Sequence, residues 1–210
     1  MNLVIPYKQT KDDGLELKYS IRSMVKHFKD LHHVIIVGDL PSWFIGNHIQ
    51  AEDMPRKREL SVLRKIKKVD GLILYSMDDI FALKDFGADL PNYYDGLCGQ
   101  KKPIDRTYKE MYRDCPSAWP AFEVHCPMVI DTDLITWDDT RLLKTWYANT
   151  NNLPGVELPD CKLKGEMSYF EIKDAIKDRL FFSTKDNIQR GGMLRVMNEL
   201  YQNASQYERA

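Results

Sequence analysis

Three short apolar runs, LVIPY at residues 3–7, HHVIIVGD at 32–39 and GLILYS at 71–76, recur with stretches of a different period between them. Continuous apolar runs of this length suit strands buried on both faces. Between the first two, LELKYSIRSMVKHF sets Leu17, Ile21, Met24, Val25 and Phe28 at the spacing of one helical face. Between the second and third come the loop LPSWF, a short strand near NHIQ and a basic helix over 56–68. Strands alternating with helices imply parallel crossovers. The expected fold class is therefore α/β, a Rossmann-type mixed, mostly parallel sheet with helices on both faces. Such sheets bind ligands beyond the carboxyl ends of their strands, which is where Asp39, Asp78, Asp79 and the loop after Tyr7 would lie.

The second half is less regular. Residues 91–120 are rich in Pro, Gly, Tyr and Lys without a clear period, which predicts long loops and one short helix near Tyr108 to Tyr112. FEVHCPMVID reads as an apolar strand that Pro127 confines to a sheet edge or a bulge. Helical patterns cover 133–148, 168–177 and 189–202, with RLFFST as a strand between the last two. No internal repeat or linker interrupts the chain, so one domain over 1–210 is expected.

A chain that is 43% hydrophobic and 29% charged has the balance of an ordinary globular protein, and no apolar run approaches the roughly 20 residues of a membrane span. MNLVIPYKQT lacks the basic, apolar and small-residue regions of a signal peptide, so a cytoplasmic location is expected. Cys98, Cys115, Cys126 and Cys161 show no CxxC spacing, which leaves zinc-ribbon and thioredoxin chemistry without support. The net charge of −1 gives no general attraction to nucleic acid, yet RKRELSVLRKIKK at 56–68 holds seven Lys or Arg against one Glu. That segment reads equally as a phosphate-tracking patch or as a solvated helix face.

In LILYSMDDIF an apolar strand runs straight into Asp78 and Asp79. Adjacent carboxylates can hold a hard divalent cation, Mn²⁺ or Mg²⁺, against a nucleotide diphosphate; aspartates also start turns. Their place at a strand end favours the metal. His125, flanked by apolar residues, is either a structural histidine or a general base. FFSTKDNI ends another strand on Ser183, Thr184, Asp186 and Asn187, which either cap a following helix or complete an oxygen-rich site.

Taken in order, four of these stretches resemble the Stealth family of sugar-phosphate transferases. LELKYSIRSMVKHF with IIVGDLPSW is similar to its opening pattern, LYSMDDIF to its Asp-Asp segment, VHCPMVID to its H-x-P-h-h-x-D segment and LFFSTKDNI to its closing strand with a D-N pair. Ser76, Met77 and Lys18 depart from the usual residues, and the chain is shorter than typical polymerising members. The resemblance implies a GT-A-like fold, a nucleotide-sugar donor, a divalent metal and a glycan or other hydroxyl-bearing acceptor. It makes His125 the base, Asp79 and Asp186 the metal ligands, Asp78 a catalytic-site acid, and Tyr7, Lys8, Arg22 and Asp39 donor contacts. Because the chain is close to a minimal GT-A-like core, the expected reaction is metal-dependent glycosyl transfer to a hydroxyl. The alternatives are Stealth-type hexose-1-phosphate transfer, glycosylation of a hydroxylated base in nucleic acid, and a non-catalytic nucleotide- or glycan-binding protein.

Overall fold

Leu3, Val4 and Ile5 are all fully buried, which requires cover on both faces of the strand they form. The computed structural model describes residues 1–51, 58–94, 124–135, 143–151, 153–158, 161–163, 166–184 and 188–209. In chain order its strands are β1 (Asn2–Tyr7), β2 (Val34–Gly38), β3 (Asn47–Gln50), β4 (Leu72–Tyr75), β5 (Ile80–Ala82), β6 (Tyr93–Tyr94), β7 (Met128–Asp131), β8 (Val156–Glu157), β9 (Lys162–Leu163) and β10 (Phe181–Thr184). The helices are α1 (Leu15–His27), α2 (Arg58–Ile66), α3 (Leu143–Thr150), α4 (Tyr169–Ile176) and α5 (Met193–Leu200).

The main sheet has the order β3-β2-β1-β4-β7. Its first four strands run parallel, with Ile5 opposite Ile36 and Leu3 opposite Leu74, and β7 pairs antiparallel with β4 at the edge. This is the expected mixed, mostly parallel α/β arrangement, with the strand order of a GT-A-like Rossmann topology. Alternation along the strands divides the core. Leu3, Ile5, Ile36 and Leu74 face Leu17, Ile21 and Met24 of α1, while Val4, Ile35, Val37 and Ile73 face Leu63 and Ile66 of α2 and Tyr147 of α3. A second sheet, β5-β10-β9, packs Phe81 and Phe182 against Ile172, Val196 and Met197 of α4 and α5. No helix among the described residues is long and apolar enough to cross a membrane.

Several boundaries differ from those expected. Among the described residues the strand in FEVHCPMVID is Met128–Asp131, because Val124–Cys126 closes a tight turn before Pro127. The helix expected from 189 begins at Met193, after a turn. The helix expected over 133–148 is present as Leu143–Thr150, preceded by a short 3₁₀ turn at Thr132–Leu134. The helix placed near Tyr108 to Tyr112 lies outside the described residues. Arg64 and Lys68 are exposed while Leu63, Ile66 and Val69 are buried, so the described part of the basic segment is an amphipathic helix on the sheet.

The final residues form a strap that no local pattern announces. Ile45 N–H donates to the Tyr207 carbonyl at 2.9 Å, and Arg209 N–H donates to the Trp43 carbonyl at 2.8 Å. Between these bonds Glu208 accepts Arg22 Nε at 2.9 Å and Nη2 at 2.7 Å. Burial alone would raise the Glu208 carboxyl, but Arg22 and the Ser205 N–H and hydroxyl hold it below the usual glutamate range. The Glu208 side chain is 4% exposed and that of Arg22 14%. Glu208→Ala is therefore expected to lower the unfolding free energy by about 3 kcal/mol, the low end for removing one partner of a buried pair, measured by urea denaturation.

Candidate functional site

At the carboxyl ends of β1 and β4 lies a cleft of about 580 Å³, lined among others by Thr10, Asp12, Gly14, Glu16, Asp78 and Gln189. Its floor is the loop from β1 to α1. Tyr7 is buried at the end of β1, and its hydroxyl accepts the Thr10 N–H at 3.2 Å. Thr10 Oγ1 donates to Asp12 Oδ1 at 2.6 Å and accepts the Gly14 N–H at 2.9 Å. The loop closes on consecutive left-handed residues, Asp13 with φ 53° and Gly14 with φ 74°. A β-carbon at Gly14 would stand 2.8 Å from the Tyr7 hydroxyl, so glycine is required on space as well as on φ.

The LPSWF segment fixes this loop from the side. Ser42 N–H lies 3.1 Å from both Asp13 carboxylate oxygens, and Trp43 Nε1 donates to the Asp13 carbonyl at 2.6 Å. Asp39 accepts the Gln9 N–H at 2.7 Å. Tyr7 and Asp39, expected as donor contacts, thus stand beneath and beside the loop that lines the cleft. Lys8 is exposed on the same loop. Arg22 is not brought there: its guanidinium is held by Glu208 and by the Tyr201 carbonyl at 3.0 Å.

Asp78 and Asp79 occupy the centre of a turn in which the Ile80 N–H approaches the Met77 carbonyl at 3.4 Å. The turn carries the chain from β4 in one sheet to β5 in the other. Asp78 faces the cleft. Burial, then repulsion from Asp79 and Asp12, pushes its carboxyl up to about 6. Glu16, in the first turn of α1, accepts a hydrogen bond from the Thr184 hydroxyl. Its carboxyl is nevertheless pushed up to about 7 by burial and by the charges of Asp79, Asp78 and Asp12. Burial raises Asp79 as well, against the favourable charges of His125, Lys162 and Lys144.

The carboxylate pair therefore faces two ways. Asp78 lines the cleft near Asp12, whereas Asp79 lies near Lys162 of β9, Lys144 of α3 and His125 before β7, with Glu16 close to both. Strand β10 assembles this second side: Ser183 pairs with Ile80 on one flank and Lys162 on the other, and Thr184 N–H donates to the Asp79 carbonyl at 3.2 Å. Lys162 Nζ lies 3.4 Å from His125 Nε2. An ammonium donates only, so Nε2 is the accepting nitrogen of the ring.

Asp79 Oδ1 is buried and accepts no hydrogen bond from the described residues. With Glu16 and Asp78 it makes a set of neighbouring hard oxygen donors with raised carboxyls, the chemistry that Mn²⁺ or Mg²⁺ would relieve. Among the described residues no three acidic, His or Cys side chains already converge on one point as metal ligands. Asp186, expected as a metal ligand, and Asn187 lie outside the described residues. The donor set thus fits a divalent cation in kind, though the described residues do not gather it at one point.

Glu16, Lys144 and Lys162 were not singled out by the sequence. Glu16 carried a signal, an acidic residue at the start of the helix whose opening pattern was recognised. Lys144 carried a fainter one, a charge among Leu143, Tyr147 and Ala148 on the apolar stripe of its helix. Lys162 carried none.

The architecture is a Rossmann-type α/β sheet with an acidic turn at the carboxyl end of β4. No family model matches the chain. It is similar to the N-acetylglucosamine-1-phosphotransferase subunits alpha/beta of Homo sapiens and of Mus musculus, each 25% identical over 144 residues that cover 60% of this chain. The chain spans 11% of the length of these curated relatives. This is a distant likeness to sugar-phosphate transferases.

The raised carboxyls give the site a pH signature. Folded Glu16 holds its proton up to about 7 against 4.5 for an ordinary glutamate, so between these values the native state binds protons the unfolded chain releases. Stability present at low pH is lost as pH rises through that window. In metal-free buffer the thermal midpoint of Glu16→Gln is expected to fall less than that of wild type from about pH 4.5 to about pH 7. Parallel profiles for the two proteins would contradict the assignment.

Proposed function

We propose that the chain is a transferase that moves a sugar 1-phosphate from a nucleotide-sugar donor to an acceptor hydroxyl. The observation that carries this reading is the two-sided Asp78–Asp79 turn, with the cleft and its acids on one side and His125 with Lys162 on the other. The distant likeness to sugar-phosphate transferases favours phosphate transfer over the glycosyl transfer expected from chain length.

In this reading the donor's nucleoside lies over the Thr10–Gly14 loop, with Asp78 toward the ribose, and its diphosphate reaches the turn. Asp79, with Glu16 and Asp186 as its candidate partners, would hold a divalent cation. When bound, such an ion neutralises diphosphate charge. His125 Nε2 takes the acceptor's proton as the acceptor oxygen bonds to the sugar-bearing phosphorus. The bond from that phosphorus to the bridging oxygen breaks, and the oxygen leaves with its electron pair on nucleoside monophosphate. The Lys162 ammonium, close to His125 before substrate arrives, turns to the non-bridging oxygens of the transferring group, where negative charge outcompetes a neutral ring nitrogen as acceptor. That shift frees Nε2 for the proton.

The basic residues at and just after the end of α2 contribute little to this site. In a parallel crossover the helix returns to the amino edge of the sheet, so Lys65, Lys67 and Lys68 stand where the chain re-enters β4, opposite the cleft. Nucleic acid is accordingly the weaker acceptor.

Incubating the protein with Mn²⁺, a panel of nucleotide sugars and alcohol acceptors tests the reading. Nucleoside monophosphate is the expected nucleotide product. Nucleoside diphosphate would indicate glycosyl transfer instead, and release of neither with any donor would leave the binding-protein alternative. His125→Ala is expected to lower kcat about 10²- to 10⁴-fold, the usual contribution of a general base. Lys162→Met is expected to lower it roughly 10²-fold with little change in donor KM, as for loss of one transition-state charge contact. Both are checked by steady-state kinetics.

A further inference from the structure

His125 stands at the apex of a three-residue turn. The Cys126 N–H donates to the Val124 carbonyl at 2.8 Å, the closure that defines a γ-turn. Pro127 follows and contributes no N–H, after which β7 begins at Met128. A turn of this size gives its first carbonyl one partner through the closing bond and leaves the Cys126 carbonyl needing a donor from elsewhere.

One side chain reaches across both arms. Lys144 Nζ donates to the Val124 carbonyl at 2.7 Å and to the Cys126 carbonyl at 2.9 Å. It does so from α3, where Lys144 is 5% exposed beside Leu143, Tyr147 and Ala148 in the core under the main sheet. A charge held in apolar surroundings is destabilising unless its donors are used. Here they are used on the two residues that flank one histidine, and the Asp79 carboxylate lies close enough to feel the charge.

We infer that Lys144 is a positioning residue, whose ammonium crosslinks the two arms of the turn and so fixes the direction in which His125 projects toward Lys162 and Asp79. The inference rests on the proposed role of His125 as base. A purely structural lysine would support the fold without setting the ring's orientation, so the ring itself must be observed.

The test uses the full chain with ¹⁵N-labelled histidine, in wild type, Lys144→Met and Lys144→Arg, with the His125 ring signals assigned by their loss in His125→Asn. In Lys144→Met the His125 signals are expected to move while the other four of the five histidines hold their positions. The kcat is expected to fall about ten- to a hundredfold, the effect of a displacement on the order of 1 Å, at unchanged donor KM. Lys144→Arg, which keeps the charge but offers donors in a planar fork, is expected to displace the ring less and recover part of the kcat. Unmoved His125 signals in folded Lys144→Met would overturn the inference. Should that variant not fold, Lys144→Gln decides, since its shorter amide does not reach both carbonyls: displaced signals with reduced kcat support the crosslink, and wild-type signals with wild-type kcat refute it. If His125→Ala retains full turnover, the proposed reaction fails, while the ring signals still report on the crosslink.

Discussion

The chain changes sheets between Tyr75 and Ile80, and most of the structure is arranged around making that change in so few residues. Strand β4 is paired on both sides in the main sheet, whereas β5 is an edge strand of the second sheet. An edge leaves backbone groups without ladder partners. Helix α1 supplies them: Ser20 Oγ donates to the Ile80 carbonyl at 2.7 Å, and Ser23 Oγ accepts the Ala82 N–H at 3.0 Å. The Tyr201 hydroxyl donates to the Ala82 carbonyl at 2.6 Å. Two fully buried serines on an otherwise apolar helical face are explained by this duty. Helix α1 therefore packs on one sheet through Leu17, Ile21 and Met24 and hydrogen-bonds the other through its serines.

The turn between the sheets then settles what Asp78 and Asp79 are. They begin a turn and they also face a site, because the same geometry does both. A tight turn at a junction of two sheets points successive side chains in different directions, and here one direction is the cleft and the other the His125 and Lys162 side. The result is electrostatically unfavourable in isolation. Burial raises Glu16, Asp78 and Asp79 alike, and the neighbouring aspartate charges raise Glu16 and Asp78 further, a concentration of buried acid that does nothing for folding. Structure that carries such a penalty at a ligand-binding edge is the pattern expected of a functional site.

The first half of the fold was legible because its signals are local. In LVIPY, LELKYSIRSMVKHF and VIIVG, burial and period coincide, and the parallel order of β1 and β2 follows from the helix between them. Pro127 correctly placed β7 at an edge. What the sequence hid depends on contacts distant along the chain. Arg22, on a helix near the cleft, reads as a ligand contact until Glu208 comes back across 186 residues to hold it. Likewise Lys162 meets His125 across 37 residues, through a two-residue strand that no periodicity could reveal.

The same distinction separates the two sides of the site. The cleft side is built almost entirely from one local loop, Tyr7 to Glu16, braced by Ser42 and Trp43, so its form is fixed as soon as β1, α1 and β2 are in place. The other side requires β7, β9, β10 and α3 to converge, and β10 is the strand that joins them to the Asp79 turn through Ser183 and Thr184. Ordering from such separated segments costs more chain entropy than ordering one loop. Asp12 and Glu16 thus belong to the part of the structure that forms most locally, and Lys144 and Lys162 to the part that forms only when the whole fold has closed. Until Lys144 and Lys162 arrive, Asp79 lacks the ammonium charges that offset its burial, so completion of the second side also stabilises the turn on which the first side depends.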